Sequence, residues 1–209
     1  GIDMARESGK NPLAELVDGG KARVQTVGGV TAFLWVVEII DEVILRGGLD
    51  QYGVHPHELK GLLGILFAPF LHAGFGHLIA NTLGFIILGL LVTSRRLSDF
   101  WAVFWGTTLT AGLGCWLFGG LGSSNEVHIG ASGVIFGFLG FLMARGWFER
   151  KVGSIFLSLI VTFFFYGMLW GMVPEADSNI SWQAHFFGWI GGIGMAWFMA
   201  RLGSSKGSR

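Results

Sequence analysis

HIGASGVIFG, residues 128–137, carries one hydroxyl, Ser132, at the point where a loop of glycine and serine gives way to an apolar run. A serine between Ala131 and Gly133 at the edge of such a run has an ordinary reading, a cap for the first amides of a helix. The run itself, GVIFGFLGFLMA (133–144), is apolar all round and has glycines at positions 133 and 137. A helix with that pattern is buried either in a large core or in a membrane.

The rest of the chain decides between them. Of 209 residues, 52% are hydrophobic and only 13% charged, with 19 Phe, 9 Trp and 35 Gly, a balance far from that of a soluble domain. Crossing about 30 Å of hydrocarbon takes roughly 20 apolar residues. Six windows qualify, at 24–45, 77–93, 100–118, 132–144, 152–172 and 183–200. They predict an all-α membrane protein, a single six-helix bundle over 24–201, preceded by a cytoplasmic segment 1–23 and followed by a tail 202–209. The first window comes after polar residues and ends without a small-residue cleavage site, which reads as an anchor and not as a removable signal. Formal net charge is zero, so no basic excess suggests nucleic acid, and the single Cys115 cannot form a disulfide within the chain.

Lysine and arginine gather on the cytoplasmic side of membranes. Arg6, Lys10, Lys21, Arg23, Arg95, Arg96, Arg145, Arg150, Lys151, Arg201, Lys206 and Arg209 all fall on one face of a six-span arrangement, and only Arg46 and Lys60 fall on the other. Both termini are thereby expected in the cytoplasm, with outer loops at 46–76, 119–131 and 173–182. The first outer loop contains LLGILFAPFLHAGFG (62–76), apolar but broken by Pro69 and too short to span. It is either partly embedded in the outer leaflet, shielded by protein, or an amphipathic surface helix.

Polar side chains inside a membrane mark function by default. Counting at about 1.5 Å per residue back to the cytoplasmic charges puts Asn81 roughly 21 Å, Ser132 roughly 20–27 Å and His185 roughly 24 Å away, one common depth near the outer face. His77 lies one turn before Asn81 on the same helix face. Gly133 and Gly137 in the fourth window, and Ala184, Gly188, Gly192 and Ala196 in the sixth, have the spacing that lets two helix backbones meet. If those stripes face each other, the Ser132 hydroxyl and the His185 imidazole approach as nucleophile and base. Asn81, His77 and the Ser132 backbone N–H are then the donors available to an oxyanion. No carboxylate occupies the central parts of the last three windows, so a Ser-His dyad is expected, with Phe136 four residues after Ser132 able to stack on the imidazole. Each residue alone has a plainer reading: Asn81 as glue between helices, His185 and His77 as interfacial rings, Phe136 as packing.

HAGFGHLIAN (72–81), GASGVIFG (130–137) and AHFFGWIGG (184–192) together resemble the signature segments of rhomboid intramembrane serine proteases, in the family's order and across about residues 24–201. The resemblance implies Ser132 as nucleophile, His185 as base and His77 with Asn81 in the oxyanion hole, Gly130, Gly133, Phe136 and Gly188 supporting them. It implies substrates that are single transmembrane helices of other proteins, met within the lipid, and no cofactor or metal. A multi-pass location in a bacterial plasma membrane is expected. Two departures stand out. Gly61-Leu62-Leu63-Gly64 replaces a Trp-Arg pair common in the first loop, and Phe136 stands where Tyr is frequent. His72 matches a family histidine and reads as bonded to loop backbone. A scaffold that binds transmembrane helices without cutting them is the alternative, disfavoured because serine and histidine are both present.

Glu38, Asp41 and Glu42 are expected to reach water or Arg46, and Glu126 and His128 to be solvated loop residues. His57-Glu58 lacks the second histidine of a zinc motif. The loop VPEADSNISW (173–182) is the expected lid, and the aromatic run LIVTFFFYGMLW (159–170) the expected lipid-facing wall.

Overall fold

The computed structural model describes residues 12–121, 127–174 and 180–205. Among them are seven α-helices: α1 (Pro12–Ile40), α2 (Leu59–Phe67), α3 (Phe75–Val92), α4 (Leu97–Phe118), α5 (Ser132–Glu149), α6 (Val152–Phe165) and α7 (Trp182–Ser205). Each expected window coincides with one of the six longer helices. α1 begins at Pro12, well before position 24, and the window that begins at 152 is α6 continued by a tighter 3₁₀ segment, Tyr166–Met172. By length and apolarity alone, two segments, Phe75–Val92 and Val152–Met172, suffice to cross a membrane. The other four long helices include polar residues such as Lys21, Asp99, Arg145 and Gln183.

α5 is the centre. Every residue from Gly133 to Leu142 is buried, and α3, α4, α6 and α7 pack around it. Phe85, Phe100, Phe104 and Phe138 are among the largest fully buried side chains, meeting at 5.4–6.3 Å between ring centroids in tilted or edge-to-face pairs. The outside is also apolar: Phe156, Leu159, Phe163 and Phe164 on α6 are exposed. A continuous apolar exterior of this kind marks contact with lipid or another apolar partner.

The small-residue stripes do face each other. A methyl placed on Gly188 would overlap the carbonyl oxygen of Gly133, one on Gly192 would overlap that of Gly137, and one on Gly140 would overlap that of Trp189. α5 and α7 therefore touch backbone to backbone. Gly188→Ala should cost about 1–3 kcal/mol, because the obstructing atom is main chain and cannot rotate away. Gly194→Ala on the same helix meets nothing within 4 Å and serves as control. Thermal unfolding in detergent reads the difference, and equal melting of the two variants would contradict this packing.

The segment between α1 and α3 folds onto the protein. α2 lies on the protein through Gly61 and Gly64, whose missing side chains let it rest on the backbone of His55 and Gly53, and through Ile65, which fills the space beside Gly112 of α4. Leu59, Leu63 and Phe67 on its other side are exposed. The glycines in place of a Trp-Arg pair thus anchor the loop by close backbone contact. An isolated antiparallel bridge, with Val54 N–H to His128 O at 3.0 Å and His128 N–H to Val54 O at 2.9 Å, fastens this loop to the segment before α5.

Two expectations at the outer end of α1 are corrected. Glu38 is 0% and Asp41 2% exposed; neither reaches water, nor does either form an ion pair with Arg46 among the described residues. The chain turns back through a widened turn, Asp41–Leu45, and the Asp41 carboxylate accepts the Leu49 N–H at 2.8 Å, closing the loop over these acids.

Candidate active site

Ser132 is the first residue of α5. The residue that caps this helix is Ala131, and no side chain bonds the free amides there, so the capping role is not what the serine performs. Its own amide has no acceptor within the helix. The Ser132 side chain lines a cleft of about 970 Å³ together with His185, His77, Asn81 and Phe136. The helices that carry them, α3, α5 and α7, meet there, and the glycine stripes hold α7 against α5.

His185 is held on two sides. Its ring lies parallel to Phe136, centroids 4.1 Å apart and planes 9° from parallel. Its Nδ1 is 2.8 Å from the carbonyl oxygen of Gly171. A carbonyl only accepts, so Nδ1 carries the proton and Nε2 keeps its lone pair, the tautomer a general base requires. Sequence reasoning left open what orients this imidazole. Gly171 does so from the 3₁₀ segment after α6, and a β-carbon there would stand 3.2 Å from Nδ1. The only trace in the sequence is a glycine amid bulky side chains, YGMLWGM.

His77 and Asn81 converge on Gly130. The Ala73 N–H donates to His77 Nδ1 at 3.4 Å, which places the proton on Nε2. That nitrogen is 2.9 Å from the position a Gly130 β-carbon would take, and Asn81 Nδ2 is 3.7 Å from the same point. Gly130 has φ +114°, a backbone state that excludes ordinary side chains, and the space it vacates is the space both donors face. Asn81 is 8% exposed, and its amide nitrogen has no hydrogen-bond partner among the described residues. A buried donor without a partner calls for an explanation, and one is an acceptor that the cleft receives from outside. His72 accepts the Ala131 N–H at 3.3 Å, a loop-backbone contact as expected.

One pairing is not made. Among the described residues no hydrogen bond joins the Ser132 hydroxyl to the His185 ring; the two groups share the cleft without that bond. Catalytic hydrogen bonds are often long before substrate arrives.

His128 departs from its expected solvation. It is 3% exposed, with Nδ1 2.7 Å from the Ser181 hydroxyl. Ser181 also accepts the Ala184 N–H at 3.2 Å at the start of α7. This contact ties the loop leading to Ser132 to the helix that carries His185. Asp50, another residue not singled out from sequence, lines the cleft, and burial, reinforced by Asp41 and Glu42, raises its carboxyl to about 6. Glu126 and the central part of the expected lid, 175–179, lie outside the described residues.

Burial lowers the His128 imidazole to about 4. The unfolded chain therefore binds a proton at this residue below about 6.5 while the folded protein does not. Stability should fall as pH drops from about 6.5 toward 4, and His128→Asn, which cannot titrate, should flatten that slope. Unfolding midpoints measured across this range test it; an unchanged slope in the variant would refute it.

The Rhomboid domain family model matches residues 60–202. An uncharacterized protein of Mycobacterium tuberculosis is 40% identical across 95% of this chain and 86% of its own length. One of Mycobacterium leprae is 39% identical across 83% of this chain and 72% of its own. A Bacillus subtilis protein named "Putative rhomboid protease YdcA" is 32% identical across 61% of this chain and 63% of its own length. With the family match covering well over half of its residues, and with the three signature segments gathered at one cleft, the chain belongs to the rhomboid family.

Proposed function

We propose that the protein is an intramembrane serine endopeptidase that cuts transmembrane segments of other membrane proteins. The reading rests above all on one observation: Ser132, His185, His77 and Asn81, from three separate helices, line a single cleft. In this reading the six longer helices all span a bacterial plasma membrane, with both termini cytoplasmic and the cleft facing outward. The catalytic unit is the bundle 24–201, flanked by short cytoplasmic segments.

His185 Nε2 takes the proton of the Ser132 hydroxyl as Oγ attacks the scissile carbonyl carbon. The resulting oxyanion is met by Asn81 Nδ2, His77 Nε2–H and the Ser132 N–H. The imidazolium, steadied by Gly171 and Phe136, gives its proton to the departing amine, leaving an ester on Ser132. Water then attacks that ester, its proton passing to His185 and from there back to Ser132 Oγ. A dyad suffices because a backbone carbonyl does the orienting that a carboxylate does elsewhere.

A fluorophosphonate or isocoumarin probe tests the reading. It should label folded protein on Ser132 and nowhere in Ser132→Ala. Folded protein that takes no label and cuts no single-span substrate would instead be a scaffold that binds transmembrane helices.

A further inference from the structure

At the opposite end of the bundle from the cleft, the arginines fall into two groups. Arg95 and Arg145 both pair with Glu149, at 2.7 and 3.2 Å, and Arg96 pairs with Asp99 at 3.0 Å. Arg150 and Arg201 have no carboxylate partner among the described residues. Those two line a cleft of about 450 Å³ between the ends of α5 and α7, walled by Trp147 and Trp197. The Arg201 guanidinium sits 4.9 Å above the Trp197 ring, and Trp147 is 79% exposed.

A second cleft, of about 480 Å³, shares Trp147 and Arg150 with the first. It runs along the groove between α5 and α6, lined by Met143, Ile155 and Leu159 with Ser158 and Thr162 among them, and is mostly apolar. A cationic pocket between aromatic side chains thus opens into an apolar groove that runs toward the middle of the bundle. Arg150 itself holds a left-handed backbone, φ 52° and ψ 30°, at the helix end where glycine is the ordinary choice. The backbone alone gives no reason for arginine there.

We propose that this is a binding site for an anionic phospholipid. The phosphodiester sits between Arg150 and Arg201, and one acyl chain lies in the α5–α6 groove. The inference rests on the membrane-spanning, cytoplasm-facing reading of this end. Juxtamembrane arginines attract anionic lipid, and indole rings favour the depth of the headgroups. The apolar groove selects a lipid over a soluble phosphate.

Native mass spectrometry of the full chain in detergent, with dioleoyl phosphatidylglycerol and with dioleoyl phosphatidylcholine, tests it. Phosphatidylglycerol should be retained in preference, and Arg150→Asn with Arg201→Gln should weaken that retention about 30-fold, to the phosphatidylcholine level. Asparagine accepts the left-handed backbone, so the variant keeps its helix end, and an unchanged melting curve verifies this. Millimolar inorganic phosphate should not displace the lipid. Equal retention of the two lipids, undiminished retention in the double variant, or displacement by phosphate would each overturn the proposal. Retention is read without substrate, so it stands or falls apart from the labelling of Ser132.

Discussion

Ser132→Ala should lower turnover of a single-span substrate by about a million-fold while leaving the melting temperature unchanged. The two halves of that expectation come from different observations. The loss of rate is expected because the proposed mechanism forms its acyl-enzyme on the Ser132 hydroxyl. The unchanged stability is expected because the hydroxyl does not cap α5 and bonds no neighbour among the described residues. Serine and histidine acting as one unit also predict non-additivity: Ser132→Ala with His185→Ala should be no slower than either alone. Gel-based cleavage in detergent, alongside unfolding curves, reads all three proteins. A double variant far slower than both single ones would mean that the residues act separately, and a destabilised Ser132→Ala would return the serine to a structural role.

Asn81→Ala should lower kcat by about 10²–10³-fold, or about 2.7–4 kcal/mol of transition-state stabilisation, with KM almost unchanged. The amide nitrogen is buried without a partner among the described residues, and in the proposed mechanism its bond forms when the carbonyl oxygen acquires charge. That is the condition under which an interaction affects kcat and not ground-state binding. The same fact sets the stability outcome. Removing an unsatisfied buried donor should leave the fold as stable or slightly more so. A rise in KM at constant kcat would make Asn81 a substrate-binding residue, and a drop in melting temperature would make it glue between helices.

The helices were legible because their signals are local. A run of apolar residues declares a helix, and glycines four apart declare a close approach, here realised between α5 and α7. The common depth of Asn81, Ser132 and His185 could be counted from fixed helical rise, and the structure brings all three to one cleft. What could not be read depends on where loops travel. Glu38 and Asp41 look solvated beside Arg46 in sequence, yet the chain folds back and buries them. His128 looks like a loop residue, yet a bridge to Val54 and a bond to Ser181 draw it inside.

The sequence by itself singled out the candidate residues, since Ser132, His185 and Asn81 fall at one counted depth in three separate apolar windows. It determined the helices and the contact face of two of them, because residues three and four apart share a side whatever lies beyond. Only the tertiary structure decided what holds the imidazole and which arginines find a carboxylate among the described residues. Gly171 has no side chain to advertise its carbonyl. Arg95, just past the end of α3, meets Glu149 of α5 across 54 positions of chain. Both outcomes turn on contacts between residues distant along the chain, which no local pattern of residue types encodes.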